Sequence, residues 1–331
     1  MDRYECLAKI GEGAAGVVHM ARDRITGETV AVKRLRGGII GGDAEEEENA
    51  WLREARCLDA CRGHPHIVEL RAAHGESRGG CRYVVMEYVD GPSLGRVLRE
   101  GKKKQRPFFA EAEARRLMRQ LLDGVAAMHA AGVMHRDIKP DNVVVGPRGG
   151  LKICDFGMSR DVDSGGAYTS PVVTLWYRAP ELILGSREYD EGVDTWALGC
   201  IMAELLAGAP LFPGRTEMDQ LNRVFDTVGA GGVEEMRSWP GFARLPRAES
   251  AICHRARPPG GRLREMFPEL SAAGLDVLTG LLACRPDRRL AAADALRCAW
   301  FTEADAVPAG CGGAHGGFTP YVSGIADAIV V

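Results

Sequence analysis

The chain has 331 residues, 46% of them hydrophobic and 26% charged, with a formal net charge of -3. That length accommodates one large domain or two unequal lobes with a substantial core, and the near-neutral balance gives no electrostatic ground for a nucleic-acid or membrane partner. No apolar run approaches membrane-spanning length, and the start MDRYECLAKIGEG lacks the apolar core of a secretory signal.

Residues 4–36 alternate in three β-rich runs, YECLAKIGE, VVHMARD and TVAVKRLR, with turn chemistry at Thr26-Gly27, the pattern of an antiparallel meander. The stretch AEEEENAWLREARCLDAC carries Trp51, Leu52, Ala55 and Leu58 at helical spacing. Its glutamates at 45–48 fall in the first turn, where the helix dipole favours negative charge. Two strand-like runs follow, HIVELRAAHG and CRYVVMEYV. Past Gly91-Pro92, long helical patterns take over at 110–131, 190–208 and 272–284. The ten cysteines include no C-x-x-C pair, which points to buried thiols in a reduced compartment, nucleus or cytoplasm, rather than to disulfides or zinc. The expected class is α+β: a small antiparallel β-sheet lobe with one helix over 1–87, a hinge at 87–92, a larger mainly helical lobe over 88–301, and a glycine-rich irregular tail over 302–331.

The stretch GEGAAGVV places Gly11, Gly13 and Gly16 at the spacing of a phosphate-cradling loop. The spacing alone is weak, because dinucleotide-binding folds share it between a strand and a helix. Here it lies between two strands and is followed by Lys33 in VAVK. Alone, the glycines read equally as a hairpin turn and Lys33 as a surface lysine. It is the strand after Gly16, together with the later motifs, that excludes the dinucleotide reading. HRDIKPDN at 135–142, DFG at 155–157, APE at 179–181 and DTWALG at 194–199 follow in order. Each motif alone reads as a turn or a capped loop. Together, over about residues 4 to 301, they resemble the eukaryotic protein kinases.

That resemblance implies a two-lobed protein kinase fold and magnesium- and ATP-dependent phosphate transfer to a protein hydroxyl. Asp137 would accept the substrate hydroxyl proton, and Lys139 would neutralise charge on the transferring group. Asn142 and Asp155 would ligate Mg2+ through oxygen. Lys33 would bind the α- and β-phosphates and pair with Glu54. The backbone of Gly11, Glu12, Gly13, Ala14, Ala15 and Gly16 would cradle the phosphates. Ile10, Val18, Ala31 and Val144 would sandwich the adenine, with Met86 at the back and the Glu87–Val89 backbone pairing the base edge. Leu58, Leu70, His135 and Phe156 match a stacked column that aligns the lobes. Glu181 would pair with Arg289, and Asp194 would tie its helix to the catalytic loop. The alternative, an inactive ATP-binding scaffold, predicts a missing lysine, aspartate or metal ligand, and none is missing.

VVTLWYRAPELILG at 172–185 and GCIMAELLAGAPLFPG at 199–214 are similar to the cyclin-dependent kinases and their relatives, whose insert corresponds to 214–272. In that branch the valine at position 173 is held by Arg178, so an ordinary residue after the phosphoacceptor would bury an unpaired N–H at about 1–3 kcal/mol, whereas proline has none. The resemblance therefore implies Ser/Thr-Pro substrates. Thr174 would bridge Asp137 and Lys139. Thr169 aligns with an activating phosphothreonine, written by an upstream activating kinase and held by Arg53, Arg136 and Arg160. Two departures stand out. ENAWLRE at 48–54 replaces the usual cyclin-facing helix sequence while retaining Arg53 and Glu54. Trp51 and Leu52 there either pack on the sheet or present a docking surface to a cyclin or another activating subunit. Ala14 and Ala15 stand where many relatives carry threonine and tyrosine, so the loop has no hydroxyl for an inhibitory phosphate.

Overall fold

The computed structural model describes residues 2–13, 16–35, 44–75, 82–103, 109–161, 175–248 and 261–302. Ala14, Ala15, Val173, Thr174, the Thr169 segment and the tail beyond residue 302 lie outside the described residues. The expected meander forms strands β1 (Tyr4–Gly13), β2 (Gly16–Asp23) and β3 (Thr29–Leu35). Helix α1 (Ala44–Ala60) follows, then β4 (Leu70–His74) and β5 (Tyr83–Glu87). The sheet order is β1-β2-β3-β5-β4 and every neighbour is antiparallel. The period-2 alternation of these runs puts Val30, Val32, Ala21, Val85 and Tyr4 in a buried cluster of their own. Ala31, Val84 and Met86 join the main core on the other side.

Beyond β5 the chain is mostly helical: α2 (Leu94–Lys103), α3 (Glu111–Ala130), α4 (Pro180–Ile183), α5 (Gly192–Ala207) and α6 (Glu217–Arg237), then α7 (Leu263–Met266) and α8 (Ala272–Leu281). Thirteen residues of α5 are buried, from Val193 to Leu205, as an apolar helix surrounded by others must be. Gly208 ends it in a left-handed cap, φ 67°. Thr216 and Ser271 accept the Asp219 and Gly274 N–H groups and so cap α6 and α8. Four short strands sit between α3 and α4: β6 (Val133–Met134) pairs with β9 (Arg160–Asp161), and β7 (Val143–Val145) with β8 (Leu151–Ile153). The result is an α+β architecture, a small antiparallel sheet with one helix followed by a larger, mainly helical part, as the resemblance implies.

Helix α1 packs on β4, β5, β9 and the turn at Phe156–Met158. Trp51 is half-buried, and its indole ring covers Gly75 just past β4. Cys57, Cys61, Cys200 and Cys284 are buried free thiols.

One buried ion pair locks the large lobe. Arg289 donates to both Glu181 oxygens at 2.7 and 2.8 Å, with neither side chain more than 1% exposed. Arg289→Ala leaves the Glu181 carboxylate buried without its cation, so urea denaturation of the variant is expected to show a loss of about 3–5 kcal/mol.

Candidate active site

The hairpin of β1 and β2 places Gly11 opposite Val18 and Gly13 opposite Gly16. Gly16 is required sterically: a β-carbon there would lie 2.2 Å from the Arg34 carbonyl of β3. Gly13 is different, because a β-carbon would meet nothing within 4 Å and its φ is not left-handed. Its missing side chain serves no contact among the described residues, and without it the backbone there can be approached closely from outside.

Lys33 lies on β3 between Val18 and Val84 and is 4% exposed. Its Nζ donates to Glu54 Oε1 at 2.6 Å and to Asp155 Oδ1 at 2.7 Å. Burial opposes the ammonium, but the two carboxylates outweigh it and hold Lys33 above its ordinary value. Burial likewise pushes Asp155 upward, and the Lys33 charge overrides this to hold the carboxylate low. Asp155 takes a left-handed backbone, φ 64°, a conformation that costs an ordinary residue about 1–2 kcal/mol. Its side chain remains 45% exposed. Gly157 is glycine for room, since a β-carbon there would sit 2.9 Å from Lys33 Nζ.

Asp137 lies in the loop after β6. Lys139 Nζ donates to its Oδ2 at 2.8 Å, as does Asn142 Nδ2 at 2.9 Å. These bonds engage one carboxylate oxygen and leave Oδ1 to accept a proton. Burial pushes the Asp137 carboxyl above the usual range, against the pull of Lys139. The loop is held from beneath by Asp194 of α5, which accepts the His135 N–H at 2.8 Å and the Arg136 N–H at 2.7 Å. That grip stabilises Arg136 at φ 69°. Arg136 and Asp155 are the two non-glycine residues with positive φ among those described, and such strain persists where surroundings over-determine it. Cys154 N–H donates to the Asn142 carbonyl at 2.9 Å, and His135 Nε2 lies 3.0 Å from the Cys154 carbonyl. The loop of Asp137 and the turn of Asp155 are therefore bonded to each other.

The apolar residues expected around the base come from both the sheet and the part of the chain beyond it. Ala31 and Met86 face each other across β3 and β5 and are buried. Val18 and Val89 pack against that core half-buried, Ile10 is 47% exposed, and Val144 bridges Ser93. The end of β5 is pinned by Glu87, whose N–H donates to the Glu69 carbonyl and whose carboxylate takes Lys152 at 3.0 Å. Leu58, His135 and Phe156 are wholly buried and Leu70 nearly so, with the His135 and Phe156 rings edge-on at 4.9 Å. Arg136 is buried, while Arg53 beside Glu54 and Arg160 on β9 are half-buried and carried by elements that pack together.

A hard divalent cation fits this donor set. Asn142 commits its amide nitrogen to Asp137 and keeps its oxygen, and the Asp155 side chain, bonded to Lys33 through Oδ1, is partly exposed. Among the described residues no three His, Cys, Asp or Glu form a cage, so a bound ion would complete its shell with phosphate and water oxygens, as Mg2+ does. Two contributors escaped the sequence reading. His129 places Nε2 3.0 Å from Asp194, and Cys154 supplies the carbonyl that orients His135. Neither carries a local signal, because each acts through a partner distant in sequence or through backbone alone.

The comparisons with known proteins agree with this geometry. Residues 4–301 match the protein kinase domain family. The chain is 78% identical over 340 residues to the "Putative cyclin-dependent kinase F-2" of Oryza sativa subsp. japonica, with 100% of each chain covered. It is 42% identical over 316 residues to cyclin-dependent kinase G-2 of Oryza sativa subsp. indica and 39% identical over 311 residues to cyclin-dependent kinase 11B of Homo sapiens. Those alignments cover 92% of this chain but only 42% and 37% of the two relatives. A lysine joined to two carboxylates, a buried aspartate beside them, and these matches lead to one conclusion: the chain belongs to the protein kinase family, among its cyclin-dependent-kinase-like members, and is a serine/threonine protein kinase.

Proposed function

We propose that the chain transfers the γ-phosphate of ATP to serine or threonine followed by proline, with Mg2+ as the metal. The observation that carries this reading is the bonding of Lys33 to both Glu54 and Asp155, with Asp137 tied to the same unit through Cys154 and Asn142. Lys33 holds the α- and β-phosphates, and Glu54 keeps its ammonium aimed at them. Gly11, Glu12, Gly13 and Gly16 supply backbone donors with open space above Gly13. Ile10, Val18, Ala31, Met86, Val89 and Val144 enclose the base. When bound at Asn142 and Asp155, the metal neutralises phosphate charge. Asp137 orients the acceptor hydroxyl and takes its proton, while Lys139 offsets negative charge at the transferring group.

The proline preference, Thr174 as a bridge between Asp137 and Lys139, and activation through Thr169 rest on the resemblance of the segment to its relatives. Arg53, Arg136 and Arg160 would receive the phosphothreonine. An upstream kinase, a cyclin or another activating subunit, and a nuclear or cytoplasmic setting complete the proposal. Ala14 and Ala15 make the loop insensitive to inhibitory phosphorylation.

Radiolabelled transfer to a Ser-Pro peptide tests this directly. The Ser-Pro peptide is expected to exceed its Ser-Ala counterpart by roughly 5- to 150-fold in kcat/KM, the equivalent of about 1–3 kcal/mol for a buried N–H. The rate should rise when Thr169 is phosphorylated. No transfer in either state counts against the reading and for an inactive scaffold. The pH profile provides a second check. Asp137 must be ionised to act as base, and its pKa is raised by burial. Activity therefore falls on acidification through a limb above the ordinary aspartate value of about 3.9. Lys139 pulls that pKa down, so Lys139→Met is expected to shift the limb to still higher pH. A limb that stays in place or moves to lower pH contradicts Asp137 as the base.

A further inference from the structure

Trp51 stands one helical turn before Glu54, on the face of α1 that carries Ala55 and Leu58 inward. Glu54, Ala55 and Leu58 on that face are 2%, 7% and 0% exposed. Glu54 thus lies between two apolar anchors, Leu58 on its C-terminal side and Trp51 on its N-terminal side. The Trp51 anchor has an unusual seat. A β-carbon at Gly75 would lie 2.5 Å from Trp51 Cζ2, 2.9 Å from Cε2 and 3.1 Å from Cη2. Gly75 has no left-handed φ, so its backbone conformation is open to any residue. What the glycine supplies is the space that the six-membered ring of the indole fills. The indole Nε1 is buried with no hydrogen-bond partner among the described residues. An unmade bond of that kind is unfavourable, so the ring is retained there for its packing and not for its polar edge.

We propose that Trp51 and Gly75 form a ring-in-notch contact that sets the position of α1, and through it holds Glu54 on Lys33. Trp51 is a positioning residue for the transfer reaction, acting through Glu54 at 2.6 Å from the lysine. This deepens the kinase reading above and rests on it. With the contact broken, α1 is free to move at the turn that carries Glu54. Lys33 then keeps Asp155 as its partner but loses the carboxylate that aims it at the phosphates. The consequence is specific: weaker ATP binding together with slower transfer, and an undisturbed peptide site.

The test uses the full chain and initial rates against ATP and against a Ser-Pro peptide. Trp51→Ala and Gly75→Ala are each expected to raise KM for ATP and lower kcat, with kcat/KM for ATP down about tenfold to a hundredfold and KM for the peptide unchanged. Trp51→Phe removes the unpaired N–H but its shorter ring reaches less far into the notch, so its loss should fall between wild type and Trp51→Ala. A loss as large as that of Trp51→Ala, with peptide KM also changed, counts against the contact. Trp51→Leu combined with Gly75→Ala relieves the clash and should recover activity relative to Gly75→Ala alone, the coupling expected of residues in contact. If kcat falls only in proportion to the folded fraction, with both KM values unchanged, the contact is merely structural and the proposal is overturned. An active wild type whose Trp51→Ala variant matches it also overturns the proposal and leaves the kinase reading intact. A wild-type chain that transfers no phosphate overturns both.

Discussion

One ammonium group organises this molecule. Lys33 comes from the middle of the sheet and is 4% exposed, a position where an isolated cation would be strongly unfavourable. It is tolerated because Glu54 arrives from α1 and Asp155 from the turn after β8, each within 2.7 Å. Three separate elements must therefore be docked together before the charge is compensated. Breaking such a pair by removing one partner typically costs about 3–5 kcal/mol, so these ion pairs latch the sheet, α1 and the Asp155 turn together, and the proposed function puts the same group at the phosphates.

The large lobe solves the complementary problem of holding a strained loop still. Asp194 lies within α5, buried on all sides, and spends its carboxylate on the His135 and Arg136 N–H groups and on His129. Burial alone would push this carboxyl upward, yet the hydrogen bond from His129 and the nearby histidines hold it low. The fixed base lets the loop keep Arg136 in a left-handed conformation and present Asp137 with one oxygen engaged. Pre-positioning of this kind is where phosphoryl-transfer enzymes gain most, because the protein does little covalent chemistry of its own.

Much of this was legible in the sequence because it is local. The strand runs, the helical spacing of Trp51, Leu52, Ala55 and Leu58, and the motifs at 135–142 and 155–157 are short-range patterns fixed by backbone periodicity and by the oxygen and nitrogen chemistry that phosphates demand. The joining of Lys33 to Glu54 was also expected, but from resemblance and not from spacing. What stayed hidden involves pairs far apart in the chain or properties without a residue-type signature. Trp51 on Gly75, His129 on Asp194 and the left-handed φ of Asp155 belong to this class. Gly75 shows the difficulty well: in sequence it merely closes the strand-like run HIVELRAAHG, whereas in space it is a seat for an indole.

The central claim is that Lys33 acts in concert with Glu54 at the ATP site. A double-mutant cycle on kcat/KM for ATP, using Lys33→Met, Glu54→Gln and the combined variant, measures it most directly. The two residues act as one unit here, so the combined variant should lose little more than the worse single variant. Losses that simply multiply would show the two side chains working independently and would contradict the account.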